Sequence, residues 1–437
     1  MARDERERLK GPITKATSRR PSGQLSVSNG KKASTPWWKV LGPGIVSGAS
    51  DNDPTTVASL AVIGSTTVYG LSWLVLLIIP MLAVVQAISA QIGVVMKTGL
   101  EDAVRERYGK GWAMLALVSV LVVNVMTLAA DLEGGGAALS LLTHRDYRWF
   151  IIPLGAGSGY ILILGNYKKI QRVLIYIPIV FLGYVVAAFL ARPHWADILR
   201  SSLIPHFSFT GPMVAGAIAL LGTTLTAYSY VWETIETSEE ANPISRLGLV
   251  QIDSTLGVII AGASFWFILI ATGATLGVHH KVVQTAQDAA NALTPFAGHW
   301  SSLLFGTGLL ASALIAIPVL SATSAYMVSE MFGWRGDLDK KFGRARKFYV
   351  TLVAVLVVGA GIALAGIAPI KLLFLSSIVG GLATPITLTM MMLIAGNQSA
   401  MKRQRINPIL LGSGWLVTVV VTAAAAIFLF QIATARN

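Results

Sequence analysis

An acidic stretch in the middle of an apolar segment holds the first residues that could do chemistry. In GPGIVSGASDNDPTTVASLAVIG, residues 42–64, Asp51 and Asp53 stand two positions apart and Pro54 follows directly. Pro54 lacks a backbone donor and disfavours helical geometry at Asp53, so we expect the helix to break there and expose backbone carbonyls. Carboxylates and carbonyls are hard oxygen ligands for a cation. The alternative is a kinked structural helix whose acids cap backbone amides or pair with a basic residue.

The composition places this segment in a membrane. Of the 437 residues, 54% are hydrophobic and only 13% are charged, and the mean hydropathy is +0.66. Such a chain is too apolar for a soluble protein of this length. In a bilayer, ionisable side chains and non-helical backbone persist where they line a cavity inside the protein. Two acids at membrane depth therefore indicate a cation site.

Membrane spans can be assigned from apolar runs of about 20 residues. About eleven such runs occur, near residues 40–66, 72–96, 112–142, 149–166, 170–191, 211–236, 250–278, 300–331, 347–367, 370–395 and 408–432. Residues 1–36 are polar and rich in Arg, Lys, Ser and Gly, which predicts a disordered cytoplasmic tail. The transmembrane domain is then predicted over residues 37–437.

The basic residues predict the orientation. Most of the 34 Lys and Arg residues lie in the tail and in loops on one side of the predicted spans. The positive-inside rule makes that side cytoplasmic, so we expect the N-terminus inside and the C-terminus outside, in a bacterial plasma membrane. The net charge of +13 then indicates contact with anionic membrane lipid, not with nucleic acid. The sequence leaves the oligomeric state open and is compatible with a monomer.

The sixth span, near residues 211–236, is the second disrupted one. Its centre is small and polar, with Gly222, Thr223, Thr224, Thr226, Ala227, Tyr228 and Ser229. It opens with Gly-Pro as the first span does, an alignment that places Gly222 opposite Asp53. Interrupted helices at corresponding positions of two five-span halves are typical of an inverted-repeat transporter with its site at the bilayer midplane. The threonines serve either that site or close helix packing.

The third span carries further polar groups. Asn124, Thr127 and Asp131 are three and four residues apart, hence on one helical face, while Glu133 points elsewhere. Buried acids on a neighbouring helix relay protons, attract cations or merely pair with other groups. We favour a pathway role for Asp131 and leave both alternatives open for Glu133.

Glu233 raises the same question in the sixth span. It continues a three-four spacing from Thr223 through Thr226 and Tyr230, which would place it below the site on the cytoplasmic side. The alternative is a solvated acid at the end of the helix.

The histidines do not suggest a metal or catalytic centre. All six fall in predicted outer loops or at their edges: His144, His194, His206, His279, His280 and His299. The chain has no cysteine. Without a thiol, and without an imidazole inside a predicted span, an intramembrane enzyme is disfavoured.

Several of these motifs resemble the Nramp family of divalent metal transporters. The resemblance rests on GPG followed by DP in the first span, on NVMTLAADLEGGGAAL in the third and on the Gly-Thr-Thr centre of the sixth. SGASDNDPTTVAS and TTLTAYSYVWETIETSEE are more similar to the Nramp-related magnesium transporter branch. The resemblance implies an all-α fold of the leucine-transporter type, with a five-plus-five inverted repeat, an eleventh span, broken first and sixth helices and alternating access.

The resemblance also implies a central cation site between the first and sixth helices. Asp53 matches the aspartate of the family's first-helix motif, whereas Thr56 stands where an asparagine is usual. In the sixth helix Thr223 takes the position of an alanine, and Thr226 takes that of a methionine ligand. Asp51 is a further candidate ligand from the residue pattern. All of these donors are oxygens, which suit Mg²⁺, Ca²⁺ and Mn²⁺ better than softer transition metals.

The family's residues for proton coupling are only partly present in this chain. Asp131 corresponds to the third-helix acid that the family links to proton movement, but Tyr228 and Glu233 occupy the two sixth-helix histidine positions. The candidate ion or proton pathway therefore consists of Asp131, Glu133, Glu233, Tyr228 and Asn124.

The sequence thus predicts a carrier that imports Mg²⁺, with Mn²⁺ also carried as a substrate, without stoichiometric proton entry and without a resident cofactor. Two alternatives remain. The first is a proton-coupled Mn²⁺/Fe²⁺ symporter of the Nramp type, and the second is a cation-coupled amino-acid or amine carrier, which shares the broken-helix architecture.

Single cysteines test the predicted orientation, and the native chain has no cysteine to interfere. A cysteine that replaces Ser201 should react with an impermeant thiol reagent added from outside, whereas one that replaces Ser245 should react only from inside, because the two residues lie in loops on opposite sides. Labelling of intact cells and of inside-out vesicles measures this. Reversed labelling of both positions would contradict the orientation.

Overall fold

The computed structural model describes residues 52–163, 183–239, 247–334, 338, 342–401 and 404–435. Every regular element in these ranges is a helix. The predicted tail, Asp51 and most of the fifth predicted span lie outside the described residues.

The α-helices of the described ranges are numbered here in chain order. They are α1 (Pro54–Thr67), α2 (Ser72–Met96), α3 (Leu100–Tyr108), α4 (Lys110–Thr143), α5 (Arg148–Ile163), α6 (Gly183–Leu190), α7 (Trp195–Leu203), α8 (Gly211–Thr224), α9 (Ala227–Glu239), α10 (Leu247–Thr275), α11 (Ala286–Asn291), α12 (Thr294–Ala297), α13 (Ser301–Phe332), α14 (Arg346–Ala363), α15 (Pro369–Gly396) and α16 (Pro408–Ala435). Two short 3₁₀ helices, Gly277–His279 and Gly298–Trp300, lie between the longer elements.

Eight segments of the described ranges are long and apolar enough to cross a membrane. They are Ser72–Met96, Lys110–Thr143, Gly211–Ser238, Ser254–His279, Thr294–Phe332, Arg346–Ala363, Pro369–Gly396 and Pro408–Thr434. These segments correspond to the predicted spans two, three and six to eleven. The fourth predicted span is the shorter apolar helix α5, and the described parts of the first and fifth are α1 and α6.

The sixth span is interrupted as its composition predicts. Helix α8 ends at Thr224, Leu225 has φ −97° and ψ 34°, and α9 begins only at Ala227. Helix α1 begins at Pro54, directly after Asp53 in an extended conformation with φ −66° and ψ 163°. In the described residues a helix therefore begins directly after Asp53 in the first segment, whereas in the sixth segment one helix ends at Thr224 and the next begins at Ala227.

The position of the sixth-span break differs from the alignment made on sequence. That alignment placed Gly222 opposite Asp53, but Gly222 lies inside α8 and the non-helical residues are Leu225 and Thr226. Gly222 has a packing role inside α8. A Cβ atom on Gly222 would collide with the backbone of α15 at Ser377 and Gly381, so this glycine serves a close approach of two helices.

Helix α4 is the long interior element around which the other helices pack. It contacts α13, α14 and α15, and it also contacts α1 at the start of the first helix. A Cβ atom on Gly134 would lie 2.8 Å from Pro54 Cβ, and one on Gly136 would lie 2.8 Å from the Tyr147 carbonyl oxygen. The glycine run of the third span thus permits close helix packing.

The contact between α8 and α15 can be tested with one methyl group. Gly222→Ala should lower the thermal unfolding midpoint of the purified protein, because overpacking of a close helix contact costs about 1–3 kcal/mol. Gly412→Ala is the matched control, since no atom lies within 4 Å of its added Cβ. Equal midpoints for the two variants would contradict the close packing.

Candidate metal centre

Asp53 lies at the start of α1 and faces the second half of the sixth span. One carboxylate oxygen accepts a 2.6 Å hydrogen bond from the Thr56 backbone N–H, so Asp53 is the N-cap of α1. The other accepts a 3.0 Å hydrogen bond from the Tyr228 hydroxyl on α9. Only 1% of Asp53 is exposed. The free N–H groups and the dipole of α1 stabilise a buried negative charge at this position.

Two of the predicted ligands meet across the interrupted segments. The Thr56 and Thr223 hydroxyl oxygens are 2.8 Å apart and share a hydrogen bond. The Thr56 hydroxyl is also 3.5 Å from the Thr223 carbonyl oxygen. Both side chains are buried. The structure therefore brings Asp53, Thr56 and Thr223 into one centre at the helix ends.

The break in the sixth span changes which carbonyls have partners. The helical hydrogen-bond pattern stops at Thr224, so within the described chain the Thr223 and Thr224 carbonyls lack the N–H donor that a continuous helix would supply four residues later. The Leu225 carbonyl instead accepts a 3.2 Å hydrogen bond from the Thr384 hydroxyl on α15. Unpaired carbonyl oxygens at membrane depth are suitable ligands for a hard cation.

Thr226 lies in the break itself. It is buried, non-helical and contributes its carbonyl oxygen to a 3.2 Å hydrogen bond from the Ser229 N–H at the start of α9. The three-four spacing from Thr223 to Glu233 crosses this break, so the two residues do not share one continuous helix, and a position of Glu233 below the site stays a prediction. Glu233 is buried in α9, and no hydrogen bond found among the described residues joins it to Asp53.

Asp131 connects the third span to the first-helix segment. Its Oδ1 accepts a 2.7 Å hydrogen bond from the Thr55 hydroxyl, and its side chain is fully buried. Asp131 Oδ2 has no hydrogen-bond partner among the described residues. A buried acceptor without a donor is a group that a cation, a proton or a water molecule would satisfy.

The other polar groups of the third span lie at different interfaces. Asn124 donates a 3.0 Å hydrogen bond to the Ser324 hydroxyl on α13, and Thr127 shares a 3.0 Å hydrogen bond with Ser376 on α15. Together with Asp131, which contacts α1, these residues meet three different helices rather than one continuous track. Glu133 is fully buried, and neither of its oxygens has a hydrogen-bond partner in the described part of the chain.

Three residues of the centre were missed by sequence reasoning. Thr55 positions Asp131, Thr384 satisfies the Leu225 carbonyl, and Asn52 is 5% exposed with an unpartnered amide oxygen among the described residues. Asn52 and Thr55 could have been found, since they flank Asp53 and Pro54 in the interrupted segment. Thr384 gave no signal, because one threonine in an apolar span is more often a packing residue.

The donor set of this centre is oxygen-rich and carries little charge. Within the described ranges no group of three or more His, Cys, Asp or Glu side chains is arranged to hold a metal ion. Asp51, the remaining predicted ligand, lies outside those ranges. The six histidines are exposed at helix ends or in connecting segments, as their sequence positions predict.

An all-helical membrane bundle with an interrupted span and a buried oxygen-lined centre at the helix ends defines a membrane transporter of the inverted-repeat type. The comparisons specify it further. The sequence model of the Nramp family, described as natural resistance-associated macrophage protein-like, matches residues 44–431. The chain belongs to the Nramp family.

Individual relatives agree with this assignment. The chain is 25% identical over 406 residues to the divalent metal cation transporter MntH of Deinococcus radiodurans, which covers 90% of this chain and 89% of that protein. Its fold matches a crystal structure of the Eremococcus coleocola manganese transporter in complex with an aromatic bis-isothiourea substituted compound, with a TM-score of 0.70, 19% identity and coverage of 92% of this chain and 89% of that chain.

A more distant structure has the same fold. MhsT in complex with L-phenylalanine gives a TM-score of 0.60 at 13% identity and covers 89% of this chain and 97% of that chain. At these identities the likeness shows the fold alone. The predicted all-α, leucine-transporter-type fold with its inverted repeat is confirmed.

Removal of the Asp53 carboxylate tests the centre. Asp53→Ala should weaken Mg²⁺ and Mn²⁺ binding at least about tenfold, because it removes the negative charge at the helix break. A tenfold change corresponds to roughly 1.4 kcal/mol. Isothermal titration calorimetry of the purified protein measures it. Asp51→Ala should have a smaller effect, and Glu106→Ala, at an exposed glutamate on α3, should have none. Unchanged binding in Asp53→Ala would contradict the assignment.

Proposed function

We propose that this Nramp protein imports divalent metal cations by alternating access, with Mg²⁺ as its main substrate and Mn²⁺ also carried. The observation that carries the proposal is the donor set at the two interrupted segments. The centre at the helix ends contains the Asp53 carboxylate and the Thr56 and Thr223 hydroxyls, together with backbone carbonyls that have no N–H donor in the described chain. Thr226 lies in the break of the sixth span. The side-chain donors named here are hard oxygens.

Metal selectivity follows from the chemistry of these donors. Carboxylate, hydroxyl, carbonyl and water ligands suit Mg²⁺ and Mn²⁺, whereas thioether sulfur enriches a site for softer metals. Mg²⁺ also gives up its water reluctantly and is commonly bound through one or two carboxylates with several waters retained. A centre with short threonine side chains and a single described carboxylate, Asp53, suits a partly hydrated ion.

The relatives support the substrate class. Those similar over most of the chain are named as divalent metal cation transporters, and the Eremococcus coleocola protein is named as a manganese transporter. Our proposal shares the divalent cation with them and differs in the main ion, because Thr226 stands at the position where the family resemblance places a methionine. We further propose that the protein resides in a bacterial plasma membrane, with its N-terminus in the cytoplasm.

We also propose that metal moves down its own gradient without stoichiometric proton entry. A proton symporter needs groups that change protonation during the cycle, and histidine has the side-chain pKa nearest neutrality. The six histidines of this chain are exposed and lie away from the centre, where Tyr228 donates a hydrogen bond to Asp53 instead. Tyrosine retains its proton at neutral pH.

A proton-coupled Mn²⁺/Fe²⁺ symporter is the second candidate. Asp131 and Glu133 favour it, since both are fully buried and have carboxylate oxygens without a hydrogen-bond partner in the described chain. Such groups could exchange protons with a passing cation. The two candidates differ in one measurable quantity, the number of protons that enter with each metal ion.

Flux into proteoliposomes that contain a pH dye tests the proposed function. Mg²⁺ and Mn²⁺ should enter wild-type vesicles without acidification, while a radiolabelled amino acid should not enter. Thr226→Met should raise the ratio of Mn²⁺ or Cd²⁺ flux to Mg²⁺ flux at least severalfold, since a thioether favours softer ions.

A control variant separates the effect of losing the Thr226 hydroxyl from the effect of adding a sulfur ligand. Thr226→Val removes the hydroxyl without adding sulfur, so it should not raise the ratio. Protein-free liposomes set the background leak. Metal-driven acidification of wild-type vesicles that is lost in Asp131→Asn would instead establish the coupled symporter, and failure to carry Mg²⁺ would contradict the proposed main substrate.

A further inference from the structure

The short helix α3 joins two spans and lies against the end of a third. It connects α2 to α4, and it packs against the last turn of α13. The segment before α4 lies on the side that the basic residues assign to the cytoplasm. At this junction the N-terminus of α3 meets the C-terminus of α13, so each helix presents unpaired backbone groups to the other.

The first contact runs from α3 to α13. The Arg105 guanidinium donates hydrogen bonds to the carbonyl oxygens of Glu330 and, at 2.9 Å, of Met331. These carbonyls belong to the last turn of α13, where a positive charge is favourable. The Glu330 carbonyl oxygen also accepts a 3.2 Å hydrogen bond from the Gly333 N–H. Arg105 is held in place by a 2.6 Å salt bridge to Asp102, one turn earlier on α3.

The second contact runs in the opposite direction. Gly99 is the N-cap of α3 and provides no side-chain cap. The Glu330 carboxylate lies so close to Gly99 that any Cβ atom there would collide with it. A carboxylate at a helix N-terminus is stabilising, since it faces the positive end of the dipole. Arg105 therefore caps α13 through hydrogen bonds, and the Glu330 carboxylate caps α3 through its negative charge beside the helix N-terminus.

Glu101 is buried inside this junction, with only 1% of its surface exposed. Burial, together with the negative charges of Glu330 and Asp102, raises the pKa of Glu101 to about 8 against the opposing effect of Arg105. Helices α2, α4, α9 and α15 also pack against α3, and among the described residues they add no charged group that perturbs this carboxyl. At neutral pH Glu101 is therefore protonated beside Glu330.

We propose that the junction between α3 and α13 is a pH-sensitive latch, closed while the Glu101 carboxyl carries a proton and released when that proton leaves. A second negative charge beside Glu330 would repel it from the N-terminus of α3 and so remove one of the two caps. The pKa of Glu101 is higher in the closed junction than in the open one. The proton therefore stabilises the closed junction at low pH, and this stabilisation declines as the pH rises towards about 8 and is absent above it.

The latch controls the inner end of α2. Lys97 ends α2 in a left-handed conformation, with φ 58°, and Gly99 begins α3, so the chain turns sharply between the two helices. Near this end α2 packs tightly on α9, where a Cβ atom on Gly93 would collide with Thr237 and Thr234. Release of α3 from α13 frees α2 together with the second half of the interrupted span. The inference does not depend on which ion is carried.

Thiol labelling of a buried position tests the latch. Ala103 on α3 is fully buried, and the native chain has no cysteine. The labelling rate of Ala103→Cys should be compared with that of the same cysteine in a Glu101→Gln background between pH 6 and pH 9. Glutamine stays neutral, so the ratio of the two rates cancels the pH dependence of the thiol itself. We expect this ratio to rise at least about tenfold between pH 6 and pH 9 and to level off above the pKa of Glu101.

Two further measurements make the test independent of one variant. Glu106→Gln neutralises an exposed glutamate on the same helix and should leave the rise unchanged. Hydrogen exchange over residues 97–108 of the cysteine-free protein, again compared with Glu101→Gln and corrected for intrinsic rates, should show the same pH dependence. A ratio that stays constant across the pH range, or a Glu101→Gln variant that opens the junction at every pH, would overturn the proposal.

Discussion

Helix ends inside a membrane are costly, and this constraint shapes the centre of the molecule. No bulk water is available at that depth to pair with free backbone N–H and C=O groups, so the protein must pair them itself. Asp53 supplies the acceptor for the first turn of α1, and Thr384 supplies the donor for the Leu225 carbonyl. Among the described residues the Thr223 and Thr224 carbonyls are left without a backbone N–H donor, and the Thr223 carbonyl meets only the Thr56 hydroxyl at 3.5 Å. The same interruption thus creates both the structural cost and the affinity for a cation.

Local chemistry made the first of these helix ends predictable from the sequence. Pro54 and Asp53 specify a helix start by themselves, through a missing donor and a short capping side chain, and the structure has both. The sixth-span break was predicted within the small, polar centre from Gly222 to Ser229, and it lies there, at Leu225 and Thr226. Sequence composition shows that a segment is weak as a helix, but it did not distinguish Gly222, which packs closely against α15 inside α8, from the residues of the break itself.

Contacts between distant residues account for what the sequence could not provide. Periodicity correctly placed Asn124 and Asp131 in the interior, but it does not say which helix each will meet, and they contact α13 and α1 respectively. The junction of α3 and α13 is a stronger case, because Arg105 and Glu330 are more than 200 residues apart and each is ordinary in its own segment. Only the fold shows that each of them caps the helix of the other.

The hydrogen bond from Thr55 to Asp131 has a consequence for charge balance. A divalent cation beside Asp53 alone would leave one uncompensated positive charge in a medium of low dielectric constant, where an isolated charge is expensive. Asp131 is bonded through Thr55 to the same helix start that Asp53 caps, so its carboxylate can compensate the second charge from the neighbouring span. The cation and the two carboxylates then form an electrically neutral group. Because both carboxylates are fixed to their helices, this neutralisation lowers the dielectric penalty of holding the ion at the centre itself.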